Sequence, residues 1–190
     1  MPRTYTLRRR ADRQAETRLR IVEAAVDLHG SVGPAQTTFS MVAERAGVQR
    51  HTLYAHFPDE RALQLACSAL TLERDPLPDP GAWRADATPE VRLRAGLGAI
   101  HGWYRRNADL AGCVLRDAEH HALTRETVEL RMGPWMQAAR EALAQGLTSG
   151  QQAMLPVAMG FFAWRNLTRD AGLSQEEAVA AMVRAILAQP

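Results

Sequence analysis

The sequence predicts an all-α fold, and three observations carry that expectation. Apolar residues recur at i, i+3, i+4 and i+7 in one segment after another, the period of a helix with one buried face. Several of those segments open on a capping Ser or Thr and close on Gly or Pro. No run alternates apolar and polar residues as a half-buried strand does, and no internal repeat is visible. At 190 residues with 46% apolar content, the chain can bury a proper core in one or two domains.

Residues 1–12 hold Arg3, Arg8, Arg9 and Arg10 with little apolar content. They read as a flexible basic arm, either touching a nucleic-acid backbone or minor groove or lying solvated. A first helix is expected over 13–31, where Ile21, Ala24, Ala25 and Leu28 share a face and Gly33-Pro34 stops the run. Thr38 is placed to cap a second helix, whose apolar face is Val42, Ala43 and Ala46. Gly47 supplies the freedom a sharp turn needs, and Val48 plugs the gap behind it. A third, short helix over 50–56 buries Leu53 and leaves Arg50, His51, Thr52, Tyr54 and His56 outward. Pro58-Asp59 opens a fourth, with Leu63, Ala66, Cys67 and Leu70 at helical spacing.

Three prolines between Pro76 and Pro80 exclude helix from 75–81, the natural place to divide the chain into 13–74 and 75–190. Thr88-Pro89 is a good start for a fifth helix to about Asn107, with Leu93, Leu97, Ile100 and Tyr104 on one side. A sixth is expected over 108–119 and a seventh over 124–145, distorted at Gly133-Pro134. The eighth, 151–171, is apolar almost all round through Met154, Val157, Met159, Phe161, Phe162 and Trp164, so it should be buried on several sides. Ser174 and Glu177 form a capping box for the ninth, with Val179, Met182, Val183 and Ile186 in one stripe.

Net charge is only +2, but residues 1–58 carry nine Arg against five acids while the rest carries fourteen against sixteen. The positive excess therefore lies on the segment with the two short helices. Cys67 and Cys113 are far apart in sequence and are expected to be thiols, Cys67 at a core position. The N-terminus lacks the apolar stretch of a signal peptide. The longest apolar run, Ala153 to Trp164, is too short to span a bilayer, so a soluble cytoplasmic protein without membrane contact is expected.

A short helix, polar on one face and braced across a tight turn, is how a helix-turn-helix reads a DNA major groove. The stretch 38–57 also resembles a family. Ala46-Gly47-Val48, Thr52-Leu53-Tyr54 and His56-Phe57 look like the signature of TetR-type transcriptional regulators, as does the lead-in of Arg18, Ile21, Ala24-Ala25, Leu28, Gly33 and Thr37-Thr38. The similarity covers residues 14–70 at unbroken spacing. It implies a nine-helix TetR-type architecture, with a DNA-binding head over 13–74 and an effector-binding and dimerisation domain over 75–190. It further implies a homodimer on a near-palindromic double-stranded operator, acting as a ligand-responsive repressor.

By position, the resemblance makes Thr38, Thr52, Tyr54 and His56 phosphate-gripping residues, which suits their hydrogen-bond donors. Gln49, Arg50 and His51 fall where side chains reach base edges. Three positions depart from the family pattern: Gln49 where a small capping residue is usual, His51 where the residue is often small, and Glu60 where a phosphate-binding Lys is frequent, with Arg61 expected to substitute beside it. The resemblance places the dimer in the last two helices, and Phe161, Phe162, Val179, Met182, Val183 and Ile186 are its candidates.

Candidates for a pocket holding an unknown small-molecule effector are Trp103, Tyr104, Cys113, Met132, Trp135, Met136 and Phe161. Asp117, Glu119, His120 and His121 are the one group with metal-ligand chemistry, but their spacing fits no metal motif and reads as a solvated helix end. No cofactor, Gly-rich phosphate loop or nucleophile elbow is indicated. Two other readings stand beside the regulator. One is an interaction protein of the same fold without specific DNA binding; the other is a small helical enzyme, for which no acid/base pair or metal set is visible.

Overall fold

The computed structural model describes residues 3–84 and 88–190, with side chains described from Arg9 onward. All regular structure among the described residues is helical. The chain forms two compact units, Met1–Arg74 with Cys113–Thr127, and Asp75–Gly112 with Val128–Pro190. Cys113–Thr127, expected with the residues after 75, therefore packs in the first unit.

The first unit contains α1 (Arg3–Ser31), α2 (Phe39–Ala46), α3 (Arg50–His56) and α4 (Glu60–Arg74). Helix α1 is longer than expected. Residues 3–12 continue it: no Pro or Gly stops the run, and Leu7, three consecutive Arg and Ala11 are good helix formers. Met1, Pro2 and the side chains of Arg3 and Arg8 from the expected arm lie outside the described residues. The core joins α1, α2, α3 and α4 through Ile21, Ala25, Leu28, Val42, Leu53, Phe57, Leu63 and Cys67. Burial pushes the Cys67 thiol up to about 12, so it is a neutral packing group. Ion pairs Arg45–Asp27 and Arg74–Glu23 tie α2 and α4 to α1 at the surface.

The ends of α6 (Ala108–Ala118) and α7 (Ala122–Ala144) complete this unit. Asp117 is 1% exposed, not part of a solvated helix end. Its Oδ2 accepts from the Ala35 amide at 2.9 Å, and Arg116 donates to the Val32 carbonyl at 3.0 Å. Between those two contacts lies Gly33, at φ 100°, where an added Cβ would stand 2.4 Å from both the Arg116 and Asp117 side chains. Only glycine meets both demands, the backbone angle and the space. His121 is also engaged, its Nδ1 2.7 Å from the Thr124 hydroxyl.

In the second unit, α5 (Pro89–Arg106) is the central post, capped by Thr88 as expected. It buries nine residues, among them Leu93, Leu97, Ile100, His101 and Tyr104. Helix α7 runs through Pro134 without interruption. The expected eighth helix is instead four short pieces: α8 (Ser149–Ala153), α9 (Leu155–Ala158), α10 (Phe161–Arg165) and a π turn, Asn166–Asp170. Pro156 has no N–H to donate, and Gly160 stands between α9 and α10, so the ladder breaks despite the apolar composition. Taken as one interrupted helix, they bring the α-helices among the described residues to the expected nine. Helix α11 (Gln175–Leu187) starts at the expected Ser174–Glu177 capping box and packs on α5.

That packing redirects the expected dimer residues. Phe161, Val179, Val183 and Ile186 are between 0% and 7% exposed within the single chain, because their stripe faces α5 and its neighbours. Phe162 and Met182 remain half-buried. Much of the expected effector pocket is likewise packed core. The Tyr104 hydroxyl donates to the Met159 carbonyl at 2.8 Å, and its ring meets Phe161 edge-on at 5.3 Å. Trp103 donates to the Asp75 carbonyl at 2.9 Å and Trp135 to that of Pro78 at 2.6 Å. Met132 and Met136 are half-buried, and Cys113 belongs to the first unit, its thiol 3.5 Å from the Gly30 carbonyl.

Candidate nucleic-acid interface

The interface is built on α2, the turn and α3. The Thr38 hydroxyl accepts from the Met41 amide at 3.3 Å and fixes the start of α2, with its own proton left to donate. Gly47 ends α2 in the left-handed conformation at φ 63°, its amide returning to the Ala43 and Glu44 carbonyls. Val48 then packs on the core. Helix α3 begins at Arg50, with Gln49 in the capping position but without a side-chain cap. The Gln49 amide is therefore not consumed by the backbone.

Leu53 and Phe57, both 0% exposed, pin α3 to the core. The other side carries Gln49, Arg50, His51 and Tyr54 exposed, with Thr52 and His56 half-buried beside them. The Tyr54 ring leans on Phe39 at 5.1 Å between centroids, which orients its hydroxyl without occupying it. The Arg18 guanidinium lies 4.2 Å above the Phe57 ring and braces α3 from α1. Of the seven residues expected at the interface, Thr38, Arg50 and Tyr54 come together on one α2–α3 surface, while Gln49, His51, Thr52 and His56 lie elsewhere around α3 and its start.

An open groove of about 560 Å³ runs along this surface. Thr38, Ser40, Arg50, Tyr54 and Arg61 line it with donors, and Phe39 forms part of its wall. Ser40 was not singled out from the sequence; its signal is an exposed hydroxyl in the first turn of α2, two residues past the cap. Asp59 and Glu60 line the same groove with negative charge. Asp59 caps α4, accepting from the Ala62 amide at 2.7 Å. Arg61, expected to stand in for a missing Lys, is paired with Glu126 at 2.7 Å. The start of α4 is thus the least positive part of the surface.

Comparison with known proteins agrees with this geometry. Residues 21–67 match the family model described as bacterial regulatory proteins, tetR family. The chain is 36% identical over 97 residues to the HTH-type transcriptional regulator SrpR of Pseudomonas putida, a match spanning 50% of this chain and 44% of SrpR. The identity is again 36% over 97 residues with the uncharacterized HTH-type transcriptional regulator TtgW, also of Pseudomonas putida, spanning 50% of this chain and 70% of TtgW. Among solved structures, the transcriptional regulator FadR from Bacillus subtilis, in complex with stearoyl-CoA, superposes with a TM-score of 0.64 over 90% of this chain and 97% of FadR. At 16% identity, that likeness establishes the fold. No helix among the described residues is long and apolar enough to cross a membrane.

Proposed function

We propose that this chain, which belongs to the tetR family of bacterial regulatory proteins, is a ligand-responsive transcriptional repressor that binds a near-palindromic operator as a homodimer. One observation carries the reading: α3 buries only Leu53 and turns a row of hydrogen-bonding side chains outward. Such a helix contributes little to its own core and is free to enter a major groove. Thr38, Thr52, Tyr54 and His56 donate to phosphate oxygens and set the docking position. Gln49, Arg50 and His51 stand at the start of α3 and read base edges, with Arg50 suited to guanine O6 and N7.

The dimer follows from the resemblance, and Phe162 and Met182 are the expected contact residues still open in the single chain. Two copies would set their α3 helices about one DNA turn apart, roughly 34–36 Å or somewhat more. An effector bound by the second unit would change that spacing. FadR, of the same fold, was solved with a bound acyl-CoA, which supports a small-molecule role for this unit without naming the ligand.

The test is fluorescence anisotropy with duplexes from the region upstream of the chain's own gene. Saturable binding to one near-palindrome is expected, with log affinity falling linearly as log salt rises. Equal affinity for that duplex and for random DNA would overturn the proposal. It would favour the second reading, an interaction protein of this fold, which the carboxylates of Asp59 and Glu60 and the Arg61–Glu126 pair at the start of α4 support.

A further inference from the structure

The connection from α1 to α2, residues 32–38, has little apolar anchorage. Pro34 is the one buried side chain between His29 and Val42, and Val32 is exposed. Polar contacts from the end of α6 hold this stretch instead. The Cys113 thiol lies 3.5 Å from the Gly30 carbonyl, Arg116 donates to the Val32 carbonyl at 3.0 Å, and Asp117 Oδ2 accepts from the Ala35 amide at 2.9 Å. Residues three and four apart share one side of a helix, so 113, 116 and 117 act from the same face of α6. The other oxygen of Asp117 accepts from Arg116 Nε at 2.8 Å, so both carboxylate oxygens are engaged. The connection is also closed on itself. The Thr37 hydroxyl donates to the Gly33 carbonyl at 2.8 Å, and the Thr37 amide to that of Pro34 at 3.2 Å. Residues 33–37 therefore move as one turn. Holding Val32 and Ala35 holds Thr38, the next residue, and Phe39, whose ring leans on Tyr54.

We infer that Arg116 and Asp117 are positioning residues for operator binding: they clamp the α1–α2 connection so that the hydroxyls of Thr38 and Tyr54 are in place before phosphate arrives. This rests on the reading of α2 and α3 as a DNA-binding surface and adds two residues outside both helices. A carboxylate only 1% exposed is expensive to bury, even beside a guanidinium. An apolar side chain could fill the same space, but it could not direct the Ala35 amide or anchor Arg116 on the Val32 carbonyl. A surface ordered in advance loses less freedom on docking. Phosphate contacts carry no sequence information, so the clamp should strengthen binding to every duplex alike.

The experiment measures DNA affinity of the full chain by fluorescence anisotropy, with matched and mismatched duplexes. Arg116→Gln and Asp117→Asn are each made in the parent and in a Thr38→Ala/Tyr54→Phe background. Stoichiometric titration fixes the concentration of binding-competent protein, so unfolded chains do not enter Kd. Asp117→Asn keeps the shape but removes the charge that holds Arg116. It should weaken binding about tenfold, and Arg116→Gln about threefold, with the matched-to-mismatched ratio unchanged. In the Thr38→Ala/Tyr54→Phe background each should cost less than about twofold, because the groups being positioned are gone. A merely structural role would lower the urea midpoint and leave Kd of the competent protein unaltered; that result overturns the inference. So does a fully additive loss in the second background, or a changed matched-to-mismatched ratio. The Arg116 side chain is 52% exposed, so Arg116→Gln decides the matter should Asp117→Asn fail to fold. A parent that binds no DNA overturns the proposed function and the clamp's role with it. A parent that binds, with both variants equal to it, overturns the clamp alone.

Discussion

Helices α3 and α5 put side chains to opposite uses. Helix α3 has seven residues and buries one, Leu53, while α5 has eighteen and buries nine, including Arg92 and His101. The first is a display element held by its neighbours; the second is the element its neighbours are held by. The difference teaches where a substitution will be felt. On α5 it should appear as lost stability, on the outer side of α3 as lost or altered binding.

The sharpest way to break that comparison is Ile100→Ala in α5, a residue 1% exposed. It should cost about 2–5 kcal/mol in urea titration. The folded fraction should bind DNA as before; weakened binding at unchanged stability would break the comparison.

Acidification probes the buried imidazoles next. Burial lowers His29 to about 4, against an opposing pull from Asp117, and burial also lowers His101. Folding makes both imidazoles harder to protonate, so protonation favours the unfolded chain. The stability from His29 is fully present above pH 6.5 and is lost as pH falls from there to about 4. By pH 5 the His29 share of that loss is roughly 2 kcal/mol. His29→Gln should flatten the pH dependence of the urea midpoint, and an unchanged slope would remove His29 as its source.

Arg50→Ala sharpens the comparison from the other side. It should leave the urea midpoint within about 0.5 kcal/mol of the parent. It should erase about 1–3 kcal/mol of preference between matched and mismatched operators. An equal loss on every duplex would move Arg50 from base reading to phosphate contact. The smallest effect is expected from Tyr54→Phe, about 1 kcal/mol weaker binding on all duplexes alike, with stability unaltered.

Local chemistry made much of this structure legible in the sequence. Thr38, Gly47, Thr88 and the Ser174–Glu177 box act over three or four residues, and each stands where it was expected. What was hidden depends on distant partners. Asp117 reads as a solvated residue until its acceptor role at Ala35, 82 residues earlier, is seen. The stripe of Val179, Val183 and Ile186 announces a buried face, but periodicity does not say what covers it; within the single chain α5 packs there. Within 151–171 the apolar content outweighed Pro156 and Gly160, although those two residues decide the local backbone.

The interrupted segment has a kinetic consequence. Its helical pieces are four or five residues long, and Ala171 returns to the Asn166 carbonyl five residues back rather than four. Short ladders release their amide protons through local openings, whereas those in the middle of α5 wait for the whole unit to unfold. In deuterium exchange, peptides from 149–170 should label well before those from 89–106. The second unit therefore has a seam, and a protease or a chaperone would find it there first.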